Sequence, residues 1–107
     1  MDVRLLVVED CPNQSAAALL LRRALDEVGL ARVPIHTQVV TRPEQAGQLG
    51  FVGSPTFLIE GRDPFAEPGT PPALACRVYR TASGLASLPE IGRLRQALKQ
   101  AAGAEHR

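Results

Sequence analysis

A short apolar run followed by a long helical pattern limits the folds open to this chain more than any other feature. Residues 3–8 are apolar and largely β-branched, which is typical of a strand buried on both faces. Residues 13–28 are rich in Ala and Leu, and Gly29 supplies a C-terminal stop for a helix. A strand that leads into so long a helix predicts a right-handed crossover to a parallel strand.

The rest of the chain extends this pattern to an α/β fold. Residues 33–40, 56–60 and 74–80 predict three further strands, and two more helices are predicted, one ending at Gly50 and one following Glu90. Residues 62–73 hold four of the nine prolines and predict a loop. The expected order is β-α-β-α-β-β-α, with a mixed four-stranded sheet between helices in a three-layer α/β/α arrangement. The third and fourth strands are expected to be antiparallel neighbours.

Composition narrows the class of protein. A chain of 107 residues with 45% hydrophobic residues predicts one domain over residues 1–107, with a frayed tail at 103–107. Twelve basic against eleven acidic residues leave a net charge of +1, which argues against a nucleic-acid partner. No apolar run approaches the roughly 20 residues that span a bilayer, and no signal-peptide pattern is present. The expectation is a soluble, cytoplasmic protein with no membrane partner, and its two cysteines cannot form a disulfide framework.

The step between the first strand and the first helix carries the most informative chemistry. Proline is favoured at the first helical position, so Pro12 predicts that Cys11 is the N-cap residue. The backbone N–H groups of Asn13 and Gln14 would then face the sulfur, and together with the helix dipole they stabilise a thiolate. Neighbouring carboxylates at positions 9 and 10 oppose this effect. The alternative is that Cys11 merely fills a cap position as a small residue.

The element order and two motifs resemble the thioredoxin superfamily. One motif is the Cys-Pro step at Cys11, and the other is Gly53-Ser54-Pro55-Thr56, which immediately precedes the third strand. The resemblance covers nearly the whole chain. It implies a cis peptide bond before Pro55 that lies against Cys11, and a docking edge for substrate at Ser54, Pro55 and Thr56, where Ser54 offers its backbone groups. The alternative for this motif is an ordinary trans turn.

One position departs from the dithiol members of that superfamily. Gln14 stands where they carry a second cysteine, so a Cys-x-x-Cys disulfide cannot form. Three interpretations remain open. Cys11 acts alone and forms a mixed disulfide with a low-molecular-weight thiol or a protein thiol, as in monothiol glutaredoxins. Cys76 resolves that disulfide across the fold, or the chain is a non-catalytic binding module.

Cys76 lies 65 residues after Cys11, inside the fourth predicted strand. In the expected topology the far end of that strand, near positions 79–81, lies closer to the proline turn than Cys76 does. A direct bond between the two cysteines needs Cα atoms within about 7 Å and is therefore not expected without movement. The favoured interpretation of Cys76 is a buried, apolar side chain.

A looser similarity is to the organomercurial lyases, which also pair a cysteine at a helix start with one on a strand. The residues LACRVY around Cys76 carry this similarity. Gln14 replaces the acidic residue that those enzymes need to protonate the leaving carbon, so cleavage of a carbon–mercury bond is not expected. Binding of a soft metal through Cys11 and Cys76 stays open.

Other residues give weaker signals. His36 and His106 do not have zinc-ligand spacing to a cysteine, and no glycine-rich nucleotide loop follows a strand, so no resident metal or cofactor is predicted. Phe65 is expected either to cover the site as a lid or to dock on an apolar surface. Three arginines are expected to form a local positive surface or a solvated sheet edge: Arg62, Arg77 and Arg80.

The sequence therefore predicts a thioredoxin-like protein with one active-site cysteine, Cys11, that acts in thiol–disulfide exchange. The expected partner is a low-molecular-weight thiol, or a protein that bears a thiol or disulfide. The alternative is a non-catalytic accessory module of the same fold. Substrate, reductant and oligomeric state stay open.

Overall fold

The computed structural model describes residues 1–105 and contains three helices and a small mixed sheet. The elements, in chain order, are β1 (Val3–Val7), α1 (Gln14–Glu27), β2 (His36–Val39), α2 (Pro43–Leu49), β3 (Thr56–Ile59), β4 (Tyr79–Thr81), β5 (Gly84–Ala86) and α3 (Ile91–Glu105). The main sheet has the order β2-β1-β3, with β2 parallel and β3 antiparallel to β1. The radius of gyration of 13.2 Å is that of a compact domain of this length.

The central strand β1 has buried side chains on both faces, as its apolar run predicts, with Arg4 as the one exposed position. Val3, Leu5 and Val7 belong to one buried cluster, which also includes side chains of α1 and α3. Leu6, which points to the opposite face, packs in a second cluster with Ala46 of α2. The strands β1 and β2, which α1 connects, are parallel, as the sequence predicts.

The prediction of a fourth strand in the sheet is wrong. Within the described residues the main sheet has three strands, and β4 pairs instead with β5 in a separate antiparallel hairpin. The outer edge of β3 has few free backbone groups with which a fourth strand could form hydrogen bonds. Ile59 already exchanges two backbone hydrogen bonds with Arg62, and Pro55 has no N–H. The unpredicted strand β5 follows a two-residue turn, for which the Ser83-Gly84 dipeptide is the sequence signal.

The C-terminal helix is longer than predicted. Helix α3 continues through residues 103–105, where a frayed tail was expected, and Leu94 and Leu98 on its inner face are fully buried. The rest of the predicted tail, including His106, lies outside the described residues. None of the helices in residues 1–105 is long and apolar enough to cross a membrane.

Candidate functional site

Cys11 lies in a turn between β1 and α1, two residues before the position that caps the helix. The N-cap residue is Asn13, so the prediction that Cys11 caps the helix is wrong. The physical reason is a turn over residues 11–14, which the N–H of Gln14 closes by donating to the carbonyl oxygen of Cys11 at 3.2 Å. Pro12 occupies the second position of this turn, where proline is also favoured. The N–H of Gln14 is therefore engaged by a carbonyl oxygen rather than by the sulfur.

The sulfur of Cys11 receives a hydrogen bond from a side chain that is distant in sequence. The hydroxyl of Ser54 donates to Cys11 Sγ with an Oγ–Sγ distance of 2.9 Å. The same Oγ accepts from the backbone N–H of Val8, at the end of β1, at 3.1 Å. Ser54 is fully buried and Cys11 is 9% exposed, so both bonds form in surroundings from which water is largely excluded. In such surroundings successive hydrogen bonds polarise one another. Here the series runs from the N–H of Val8 through the hydroxyl of Ser54 to the sulfur of Cys11.

This contact assigns Ser54 a role that the sequence analysis missed. The resemblance pointed to the backbone groups of Ser54, whereas the structure brings its side chain to Cys11. The only signal in the sequence is a hydroxyl residue directly before Pro55. The peptide bond between Ser54 and Pro55 is cis, which is the conformation that the resemblance implies.

The expected docking edge beside Pro55 is filled by the chain itself. The N–H of Ser54 donates to the carbonyl oxygen of Ala75 at 2.7 Å, and its carbonyl oxygen accepts from the N–H of Arg77 at 2.9 Å. The carbonyl oxygen of Pro55 accepts from the hydroxyl of Tyr79. With these groups occupied, no strand of a substrate can add to Ser54 in this conformation.

Arg77 is buried, which contradicts the expectation of a solvated or surface arginine. Its guanidinium pairs with Asp63 at 2.8 Å and also donates to Thr56 Oγ1 at 3.1 Å and to the carbonyl oxygen of Phe65 at 2.9 Å. A Cβ at Gly53, where φ is +145°, would lie 2.9 Å from Arg77 Cβ. The loop before β3 and the segment around Arg77 therefore fit only if position 53 is glycine.

Two of the predicted docking residues have structural partners. Thr56 is buried, and its hydroxyl donates to the carbonyl oxygen of Gly53 at 2.6 Å while accepting from Arg77. The hydroxyl of Tyr79 donates to Pro55, and burial raises the pKa of Tyr79 far above its ordinary value. The tyrosine hydroxyl therefore stays protonated, and remains a hydrogen-bond donor, at neutral and moderately alkaline pH.

Phe65 does not form a lid over Cys11. It is buried, and its ring makes edge-to-face contacts with Phe57 at 6.3 Å and with Tyr79 at 5.3 Å between centroids. The ring docks on apolar side chains, as the alternative expectation had it, but there it is buried rather than exposed. The proline-rich loop is thereby anchored to the core beneath the loop of Ser54.

The two cysteines are both free thiols, but Cys76 is not the buried residue that was predicted. It is exposed, and it pairs with Ser54 in an isolated parallel bridge. The expectation that Cys76 lies away from the proline turn is therefore wrong as well. The reason is that residues 75–77 pair with the loop before β3 instead of continuing along β3. Ser54 thus contacts Cys11 through its side chain and the segment of Cys76 through its backbone.

The remaining predicted residues are not brought together. The adjacent acids Glu9 and Asp10 are exposed, Arg80 pairs with Glu67 at 2.9 Å, and Arg62 lines a different cavity from Arg80. Among the described residues, no three His, Cys, Asp or Glu side chains converge as a metal site.

Comparison of the chain with protein-family models, with curated proteins and with solved structures found no match.

Proposed function

We propose that this chain is a thioredoxin-like protein in which Cys11 carries out thiol–disulfide exchange. The observation that supports the proposal most is the hydrogen bond from the hydroxyl of Ser54 to the sulfur of Cys11. The position of that serine, directly before a cis proline and beside the cysteine that follows β1, agrees with the resemblance drawn from the sequence. The element order up to β3 agrees with it too.

The proposed reaction uses the sulfur as nucleophile and then as leaving group. The Cys11 thiolate attacks one sulfur of a disulfide, the S–S bond breaks, and the other half departs as a thiolate that takes a proton from water. Cys11 is left in a mixed disulfide. A second thiolate attacks the partner's sulfur and releases Cys11. The hydroxyl of Ser54 stabilises the Cys11 thiolate at the start and at the end of this cycle, since a hydrogen bond to a charged acceptor is stronger than one to a neutral acceptor.

The occupied edge at Ser54 favours small partners over extended peptides. A peptide that adds as a strand would have to displace the residues bonded to Ser54, namely Ala75 and Arg77. A low-molecular-weight disulfide needs no strand pairing at Ser54, only access to Cys11, which is 9% exposed. We therefore favour a small thiol as the partner of Cys11, and the thiol that releases it comes from solution or from Cys76.

The test measures the alkylation rate of Cys11 in a Cys76→Ser background, with and without Ser54→Ala. Loss of the hydroxyl should slow alkylation near neutral pH by about tenfold, because a hydrogen bond to a charged group contributes roughly 1.5–3 kcal/mol. Cys11→Ser in the same background controls for labelling elsewhere. Intact mass after exposure to oxidised glutathione should show one adduct that requires Cys11. A rate that Ser54→Ala leaves unchanged, together with no adduct, would reject the proposal.

A second candidate is a non-catalytic module that binds mercury or another soft metal through both cysteines. The observation in its favour is that the two cysteines are neighbours of the same residue, since Ser54 contacts Cys11 through its side chain and pairs with Cys76 through its backbone. Thiolates are the ligands that soft ions prefer. Retention of stoichiometric Hg²⁺ that is lost in either single Cys→Ser variant, with no glutathione adduct at Cys11, would favour this candidate over exchange.

A further inference from the structure

The segment around Cys76 has two faces with different roles. Arg77 and Tyr79 point inward and are buried, whereas Cys76, Val78 and Arg80 alternate with them and are exposed. This is the alternation of an extended strand, in which successive side chains point to opposite sides. The inward side chains contact the loop of Ser54 and the core, and the outward ones face solvent, where Arg80 pairs with Glu67.

The outward side chains line a cavity of about 390 Å³, to whose lining Arg77 and Tyr79 also contribute. Leu85, which lies opposite Arg80 in the β4–β5 hairpin, forms another part of its wall, and Arg93 of α3 closes it from the other side. Val78 is 59% and Leu85 71% exposed, which is high for large apolar side chains. A volume of this size is in the range of sites for small molecules rather than for folded proteins.

The cavity carries an unbalanced positive charge. Arg80 is neutralised by Glu67, the acidic residue that lines the cavity with it. The guanidinium of Arg93 lies over the ring of Phe65, 5.0 Å from its centroid, and forms no ion pair with any residue between 1 and 105. The same cavity therefore presents an apolar wall, a guanidinium suited to a carboxylate and an exposed thiol.

We propose that this cavity binds a small anionic disulfide and that Cys76 forms a mixed disulfide with it. The Cys76 thiolate attacks one sulfur of the ligand, the S–S bond of the ligand breaks, and the other half leaves as a thiolate that is protonated by water. The ligand is the oxidant, and Arg93 binds its carboxylate. The inference goes beyond the proposed function because it requires neither Cys11 nor the hydroxyl of Ser54.

The experiment uses the full chain with Cys11→Ser, so that Cys76 is its one thiol. Intact mass follows adduct formation with oxidised glutathione, which is anionic, and with cystamine, which is cationic. Each rate is divided by the rate of the same chain unfolded in urea, which removes the intrinsic reactivity of the reagent. The folded chain should favour the anionic disulfide by about fivefold, the effect of one uncompensated charge near the surface.

Arg93→Gln in this background should abolish that preference, and Lys99→Gln, at an exposed position of the same helix that does not line the cavity, should preserve it. If Arg93→Gln fails to fold, the Cys11→Ser chain is measured again in 0.5 M sodium chloride. The salt screens the charge and should remove the preference for the anionic disulfide. Equal normalised rates for the two reagents, or a preference that salt leaves intact, would overturn the inference. Because the test of Cys11 uses the Cys76→Ser chain, either proposal can fail without the other.

Discussion

Cys11 and Cys76 flank the same serine but have opposite surroundings. Cys11 is buried and receives a hydrogen bond from the side chain of Ser54, whereas Cys76 is exposed at a cavity that Arg93 also lines. The first sulfur has a hydrogen-bond donor but little access from solvent. The second is open to solvent. Two thiols of one small protein can therefore differ in what the fold supplies, a hydrogen bond to the sulfur or access to it.

The largest effect on stability is expected from substitution of Arg77. Its buried side chain holds the segment in which the neighbouring Cys76 faces outward. Arg77→Met should destabilise the protein by about 3–5 kcal/mol, because it leaves the buried carboxylate of Asp63 unpaired. Urea unfolding measures this loss. The double variant Arg77→Met/Asp63→Asn should recover part of it, and a double variant no more stable than Arg77→Met would contradict the ion-pair explanation. In both variants the alkylation rates of the two cysteines should converge.

Gly53→Ala should have the next largest effect. The added Cβ would meet Arg77 at 2.9 Å, and φ of +145° is strained for any residue with a side chain, so we expect a loss of about 1–3 kcal/mol. Gly47→Ala on α2 is the matched control, since nothing lies within 4 Å of its added Cβ. That change should stabilise the protein by about 0.5–1 kcal/mol. Equal effects of the two substitutions on the urea midpoint would show that the fit at position 53 is loose.

The contrast in access can be measured directly with reagents of different size. Replacing iodoacetamide with a bulky maleimide should slow labelling of Cys11 several-fold more than labelling of Cys76, since 9% of Cys11 is exposed whereas Cys76 is open. The single Cys→Ser variants report each thiol separately. If the ratio of the labelling rates of Cys11 and Cys76 is the same for both reagents, the two thiols do not differ in access.

The smallest effect is expected far from both thiols, at Glu27. A hydrogen bond from Arg95 of α3, followed by one from Arg23, lowers the pKa of Glu27 from 4.5. The charged form is favoured in the folded state, so this stabilisation is present above pH 4.5 and is lost as pH falls below it. Glu27→Gln should therefore be slightly less stable than the parent at pH 7, and the difference should shrink at pH 3.5. The alkylation rate of neither cysteine should change. A change would show that the contact between α1 and α3, rather than the loop of Ser54, controls the reactivity of the thiols.

The first half of the fold could be predicted from the sequence because its signals are local. The strand–helix–strand order through β3 follows from hydrophobic periodicity and from stops at Gly29 and Gly50, all of which act within a few residues. The position of Cys11 relative to the helix was missed by two residues. Proline is favoured both at the start of a helix and in the preceding turn, and Pro12 alone does not distinguish them.

The second half depends on contacts between residues distant in sequence. The pattern around Cys76 suggested outward arginines and a buried cysteine, but Arg77 turns inward because Asp63 and Thr56 receive its guanidinium. In a strand, one inward side chain fixes the orientation of all the others, so Cys76 faces outward. The contact between Ser54 and Cys11 spans 43 residues, and its one signal in the sequence is the hydroxyl residue directly before Pro55.

Ser54 links the two halves of the site through its main chain and its side chain. Two backbone hydrogen bonds join it to the residues on either side of Cys76, and its hydroxyl donates to Cys11. A substitution that displaces Ala75 or Arg77 should therefore also alter the hydrogen bond that the sulfur of Cys11 accepts. The buried thiol thus depends on the position of a chain segment whose own thiol faces solvent.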